Sequence, residues 1–218
     1  MRIIDLSHVI HDGMVTYPGL PGPEISDHLG REASRSHYAP GTEFHIGRVS
    51  MVANTGTYLD TPFHRFPDGW GLQDLPLDKV AGVSGLVIDS GAHEIGPDAF
   101  AGVPLTDMAV LFRTGWSRHW GTDAYGDPDH PHLTETAVDA LVSGRPAVVG
   151  IDSVNIDDTR TGHRPAHSGL LRAGIPIVEH LTGLAELPVA GFEFFAVPVK
   201  VAGMGTFPVR AFAVVRQA

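Results

Sequence analysis

Asn54-Thr-Gly-Thr-Tyr-Leu-Asp-Thr-Pro-Phe-His64 is the stretch whose conformation decides how the rest of the chain folds. In an extended strand, side chains alternate between two faces. Asn54, Tyr58 and Asp60 then share one face, while Leu59 points the other way, into a core. Pro62 cannot donate to a sheet ladder, so the strand ends near it and the following turn swings His64 back beside Asp60. Polar groups converge at that strand end. The plainer reading of the same residues is an edge strand with a Thr-rich face and a surface histidine.

A second cluster favours the functional reading. His167 stands twelve residues before Glu179, separated from it by an apolar helical turn, Gly174 and Ile175-Pro-Ile-Val178. A carboxylate placed directly behind four apolar residues needs a partner if it is buried, because an unpaired buried charge is costly. A metal ion or a neighbouring histidine would satisfy Glu179.

Outward from these clusters, short runs rich in Val, Ile and Phe recur over residues 2–6, 43–53, 85–89, 108–112, 147–151, 192–200 and 209–215, the pattern of strands. Helical patterns are fewer: residues 96–101, residues 134–143 with Thr134 as N-cap and Gly144 as stop, and residues 167–173 before Gly174. Residues 17–23 hold three Pro and two Gly and predict an ordered loop, whereas the polar, turn-rich residues 119–132 predict a surface excursion. The expected fold is mixed α/β, strand-rich, with helices packed on the sheets, as one domain over residues 1–218.

Composition narrows the chemistry. With 218 residues, 43% hydrophobic and 18% charged, the chain can bury a sizeable core. A net charge of −10 without clustered Lys or Arg argues against nucleic acid as a partner. The absence of cysteine excludes disulfides, thiolate metal sites and a Cys nucleophile, and is compatible with the cytoplasm. No apolar stretch suggests a signal peptide or a membrane span. Thirteen histidines leave imidazole and carboxylate as the metal-binding groups.

With these residues in place, the chain resembles the cyclase family of metal-dependent hydrolases, which includes bacterial kynurenine formamidase and isatin hydrolase. The family pattern is His-x-Gly-Thr-His-x-Asp-x-Pro-x-His with a late His and Glu twelve residues apart. Gly56, Thr57, Asp60, Pro62, His64, His167 and Glu179 keep it. Asp5-Leu-Ser-His8, Tyr17-Pro-Gly19, Arg113-Thr-Gly-Trp116, Ile151-Asp-Ser153 and the strand of residues 191–199 extend the likeness over nearly the whole chain.

The resemblance implies a swivelling β/β/α-type fold, a homodimer or larger homo-oligomer, and arylformamidase-like hydrolysis, with tryptophan catabolism as the setting. It implies Asp60, His167 and Glu179 as metal ligands and His64 as the proton-transfer residue. The two histidines of a first metal site are Asn54 and Tyr58 here. An amide is a weak zinc ligand, and a Tyr ligand must give up a proton of pKa near ~10.

One divalent metal, zinc or manganese, is therefore expected, and no nucleotide cofactor. The substrate expected is a small, aromatic amide, formamide, lactam or lactone. Two alternatives stand beside this: a metal-independent cyclase or isomerase using Tyr58, His64 and Glu179, and a non-catalytic small-molecule binder. Tyr17 stands where formamidases carry a substrate-contacting Trp, and Asn54 and Arg65 are further candidate substrate contacts, Arg65 through a carboxylate. His45 could compensate as a ligand or simply serve its strand, and His163 could border the pocket.

Overall fold

The computed structural model describes residues 1–216; Gln217 and Ala218, within the expected domain span, lie outside the described residues. The elements run β1 (Arg2–Asp5), β2 (Glu24–Leu29), α1 (Arg31–Ser34), β3 (Ile46–Ser50), β4 (Tyr58–Asp60), α2 (Pro62–Arg65), β5 (Ala81–Asp89), β6 (Glu94–Ile95), β7 (Ala109–Arg113), β8 (His132–Leu133), α3 (Glu135–Gly144), β9 (Val148–Ile151), α4 (Pro165–Arg172), β10 (Ile177–Glu179), β11 (Ala190–Phe195), β12 (Thr206–Pro208) and β13 (Phe212–Val215), joined in places by 3-10 turns.

One nine-stranded sheet in the order β1-β13-β11-β5-β7-β9-β10-β4-β12 organises the chain. Its centre, β5, β7, β9 and β10, is parallel, and the strands outside it pair antiparallel. Parallel strands covered on both faces need apolar residues on both faces, which is why residues 85–88, 108–112 and 147–151 carry no polar side chain. Leu86, Val110, Phe112, Val149 and Ile151 pack with Val138 and Leu141 of α3 and Leu170 and Leu171 of α4. On the opposite face Val87, Leu111 and Val148 meet Leu59, Phe192, Phe194 and Ala213. The result is the strand-rich α/β fold expected.

Local signals place the helices. Thr134 caps α3, its hydroxyl accepting from the Ala137 N–H at 3.2 Å, a bond typically worth ~1 kcal/mol. The left-handed exit falls at Arg145 (φ 53°), one residue beyond the expected stop at Gly144. Pro165 starts α4. No helix among the described residues is long and apolar enough to cross a membrane.

Several expectations need correction. Residues 43–53 are not one strand: among the described residues β3 pairs with β2 alone, in a hairpin whose β3 residues are all exposed. The strand expected over residues 192–200 ends at Phe195, and Val197 and Val199 are exposed. Residues 119–132 are not merely a surface excursion, because Tyr125, His130 and His132 are buried.

Candidate active site

Cross-strand register assembles the site. β4 lies between β10 and β12, with Glu179 opposite Tyr58 and Thr206 opposite Asp60, and directly opposed residues are close enough for their side chains to interact. Leu59 points into the core, as its alternation requires. Pro62 ends the strand and opens α2, which returns His64 Nδ1 to within 3.7 Å of Asp60 Oδ1. Asn54 does not share this strand: Gly56 has φ +67°, so residues before Thr57 turn instead of extending. Asn54 reaches the same cavity by another path.

That cavity measures about 420 Å³ and is lined by Tyr17, Asn54, Tyr58, His64, Arg65, His167 and Glu179. Asn155 and Arg164 also line it, and neither was marked by the sequence. His163 borders an adjoining cleft with Arg65 and Arg164. His45 does not reach the cavity; its Nε2 pairs with Asp27 Oδ1 at 2.7 Å within the β2–β3 hairpin.

His167 is held from behind. Its Nδ1 bonds to Asp157 Oδ2 at 2.6 Å, and Asp157 also accepts the N–H groups of Ala166 and His167 in the first turn of α4. Nε2 is thereby left facing Asp60 Oδ2 at 3.7 Å and Glu179 Oε1 at 3.8 Å. Asp60 Oδ2 is buried and has no hydrogen-bond partner among the described residues. Its other oxygen accepts from Thr206 Oγ1, which in turn bonds His64 Nδ1 at 2.7 Å. Because the threonine proton goes to Asp60, His64 donates its Nδ1–H to Thr206, and in its neutral form Nε2 is bare.

Glu179 is gripped on both oxygens. Oε1 accepts the Ile156 N–H and Oε2 accepts the Tyr58 hydroxyl, each at 2.7 Å. His180, the next residue, places Nε2 3.2 Å from Tyr58 Oη and Nδ1 2.8 Å from Tyr125 Oη. Tyr58 therefore lines the cavity with its only proton already given to Glu179.

The electrostatics follow from burial and crowding. Burial pushes Asp60 upward, but His64, His167 and Thr206 outweigh it and hold the carboxyl below its ordinary value. Burial, with Asp60's charge added, lifts Glu179 to about 7 against the pull of His167. Burial opposes charge on His167, yet Glu179, Asp157 and Asp60 together raise it well above an ordinary imidazole. Burial, then Glu179 and Asp60, push the Tyr58 phenol far up, so it stays protonated. Three carboxylates around one imidazole leave negative charge that a divalent cation would neutralise.

The donor set fits such an ion. Asp60, His64 and His167 offer ligand atoms within 4.8 Å of one another, and Glu179 adds a carboxylate oxygen 3.8 Å from His167 Nε2. The carboxylate behind the ligating imidazole is the arrangement that fixes tautomer and orientation at metal sites.

The cluster of buried carboxylates and imidazole beside this cavity sits in a chain whose relatives are hydrolases, and the protein is an enzyme of that class. The chain belongs to the cyclase family, whose model, Cyclase ("Putative cyclase"), matches residues 4–158. It is 29% identical over 213 residues to a kynurenine formamidase from Salinibacter ruber, covering 97% of this chain and 96% of that one. A kynurenine formamidase from Paracidovorax citrulli is 28% identical over 221 residues, covering 95% and 94%. Among solved structures, isatin hydrolase A from Labrenzia aggregata bound to benzyl benzoate superposes with TM-score 0.84 at 25% identity, covering 99% of this chain and 94% of that one. A "potential metal-dependent hydrolase with cyclase activity" gives TM-score 0.80 at 25% identity, covering 100% and 99%.

Proposed function

We propose that this protein hydrolyses the C–N acyl bond of a small aromatic amide, formamides first, with lactams and lactones as neighbouring substrates. One divalent metal, zinc or manganese, is held by Asp60, His167 and Glu179. The observation that carries this reading is the buried, unpartnered Asp60 Oδ2 facing His167 Nε2 at 3.7 Å, with the far side of the imidazole fixed by Asp157. The kynurenine formamidase and isatin hydrolase relatives support the bond type.

When bound, the ion supplies Lewis-acid polarisation of a carbonyl and acidification of water. The chain's own residues do the rest. His64, anchored through Nδ1 to Thr206, presents bare Nε2 to take a proton from the attacking water and return it to the leaving nitrogen. Tyr17 provides an aromatic wall for a ring, Asn54 offers an amide to polar groups of the substrate, and Arg65 at the rim receives a carboxylate.

Metal analysis of the purified protein, followed by chelation and re-addition while an N-formylarylamine is turned over, tests the proposal. Activity lost with the metal and regained with zinc or manganese supports it. Activity indifferent to chelation sinks the metal reading and hands the chemistry to His64 and Glu179. We further propose a cytoplasmic homo-oligomer: Ile25, Ile46 and Val49 stand exposed on the β2–β3 hairpin, apolar surface that a second copy would cover. Sedimentation analysis and cell fractionation decide these two points.

A further inference from the structure

Glu179 ends a file of four buried side chains whose direction is fixed by counting protons. Tyr125, His180, Tyr58 and Glu179 are 4%, 0%, 2% and 1% exposed. Above the pKa of about 7 the Glu179 carboxylate is ionised and only accepts, so the Tyr58 hydroxyl donates to Oε2. A phenol has one proton to give, so Tyr58 Oη must accept from His180 Nε2 at 3.2 Å. A neutral imidazole protonated at Nε2 has a bare Nδ1, and the Tyr125 hydroxyl donates into it at 2.8 Å.

A second observation concerns the backbone. His180 has φ 58°, in the left-handed region that residues other than glycine occupy sparingly. Such a conformation persists only where its surroundings over-determine it. Here Thr57 Oγ1 donates to the His180 carbonyl at 2.6 Å, and the imidazole lies between the rings of Tyr58 and Tyr125. The strained turn delivers the ring of His180 to the point where it bridges the two hydroxyls.

We propose that Tyr125 and His180 are positioning residues of the active site. Acting through Tyr58, they hold the Glu179 carboxylate with Oε2 turned into the protein and Oε1 turned toward His167. The inference rests on the reading of Glu179 as a working carboxylate, and it extends the site to Tyr125, 55 residues away from His180 in sequence. Without the file, the Ile156 N–H alone would orient Glu179, and the carboxylate would be free to rotate about that single bond.

Nitrogen-15 spectroscopy of histidine-labelled full-length protein at pH 9, where Glu179 is ionised, reads the tautomer directly. His180 is expected to carry its proton on Nε2. Tyr125→Phe is expected to mix the two tautomers and lower kcat about tenfold with KM nearly unchanged, the scale seen when an outer-shell partner is lost. His180→Gln, whose amide nitrogen reaches the Nε2 position, is expected to keep most of the activity, whereas His180→Ala loses about a hundredfold. A wild-type His180 protonated on Nδ1, or Tyr125→Phe with wild-type kcat, overturns the proposal. The tautomer is measured without substrate, so a failure of the formamide assay and a failure of this inference are separate results.

Discussion

A Cβ placed on Gly205 would lie 2.2 Å from the backbone nitrogen of His64. Strand β12 and helix α2 thus meet backbone to backbone, and the Gly205 carbonyl accepts both the N–H and the hydroxyl of Thr61, at 2.7 and 2.9 Å. Gly205→Ala must push α2 outward and carry His64 with it. We expect kcat to fall about a hundredfold, the penalty of misplacing a catalytic group by around 1 Å. Steady-state kinetics with a formamide check this; an unchanged kcat would show that His64 tolerates displacement.

Asp157 does two jobs, serving the first turn of α4 and orienting His167. Asp157→Asn should therefore separate them. Loss of the charged cap costs roughly 1 kcal/mol of stability, while metal affinity falls about 10- to 100-fold. Calorimetric metal titration beside a denaturant melt distinguishes the effects, and an affinity equal to wild type would remove Asp157 from the metal site's support.

An ion that binds only the folded chain stabilises it. Zinc or manganese at a hundred times its Kd should add about 2.7 kcal/mol to unfolding stability, seen as a raised Tm that a chelator reverses. In Asp60→Asn the shift should vanish. A shift that survives in the variant would place the ion elsewhere.

His8 stacks on Trp120 with ring centroids 3.8 Å apart, and its Nε2 is buried without a partner among the described residues. Burial lowers its pKa to about 4. The unfolded chain therefore binds a proton below about 6.5 that the folded chain refuses, so this contribution to stability is complete above 6.5 and is lost as pH falls toward 4. His8→Phe keeps the stack, removes the orphaned nitrogen and should flatten that part of the pH–Tm curve. An equally steep curve in the variant would assign the slope to other groups.

Arg65 is exposed at the cavity rim, where its Nε lies 3.4 Å from Ser168 Oγ and its guanidinium sits over the Phe66 ring. Arg65→Ala should raise KM about tenfold for a carboxylate-bearing formamide, the scale of one charge-assisted bond, and leave a neutral formamide unaffected. Equal effects on both substrates would make Arg65 a structural residue.

The sequence made part of the site legible because strand alternation and a terminal proline are local rules: Leu59 inward, Tyr58 and Asp60 on the other face, His64 folded back; Glu179 and His167 were joined to them only by the resemblance. Asp157, Thr206, Tyr125 and His180 were not legible. Each is an ordinary polar residue whose role exists only after distant strands pair, as Thr206 does opposite Asp60. Two signals were available for His180, its position next to Glu179 and its burial behind an apolar run, and neither marks a function alone. Asn54 was placed on the strand by extrapolating alternation through Gly56, where a positive φ breaks it. In the central strands the apolar runs sufficed; in the hairpin of β2 and β3, the same runs marked residues that the fold leaves in the open.

The strand carrying Asp60 has as its neighbours two strands that emerge much later in synthesis. Thr206, which completes the Asp60 hydrogen bond, follows 146 residues behind it. At 5–20 residues per second, a growing chain waits on the order of ten seconds between making the carboxylate and making its partner. β1 waits longer still for β13. During that interval an acidic residue destined for complete burial faces water, and the apolar face of β4 has nothing to cover it. Assembly of this sheet is therefore a late, largely post-translational event, and the candidate active site is among the last parts of the molecule to come into existence.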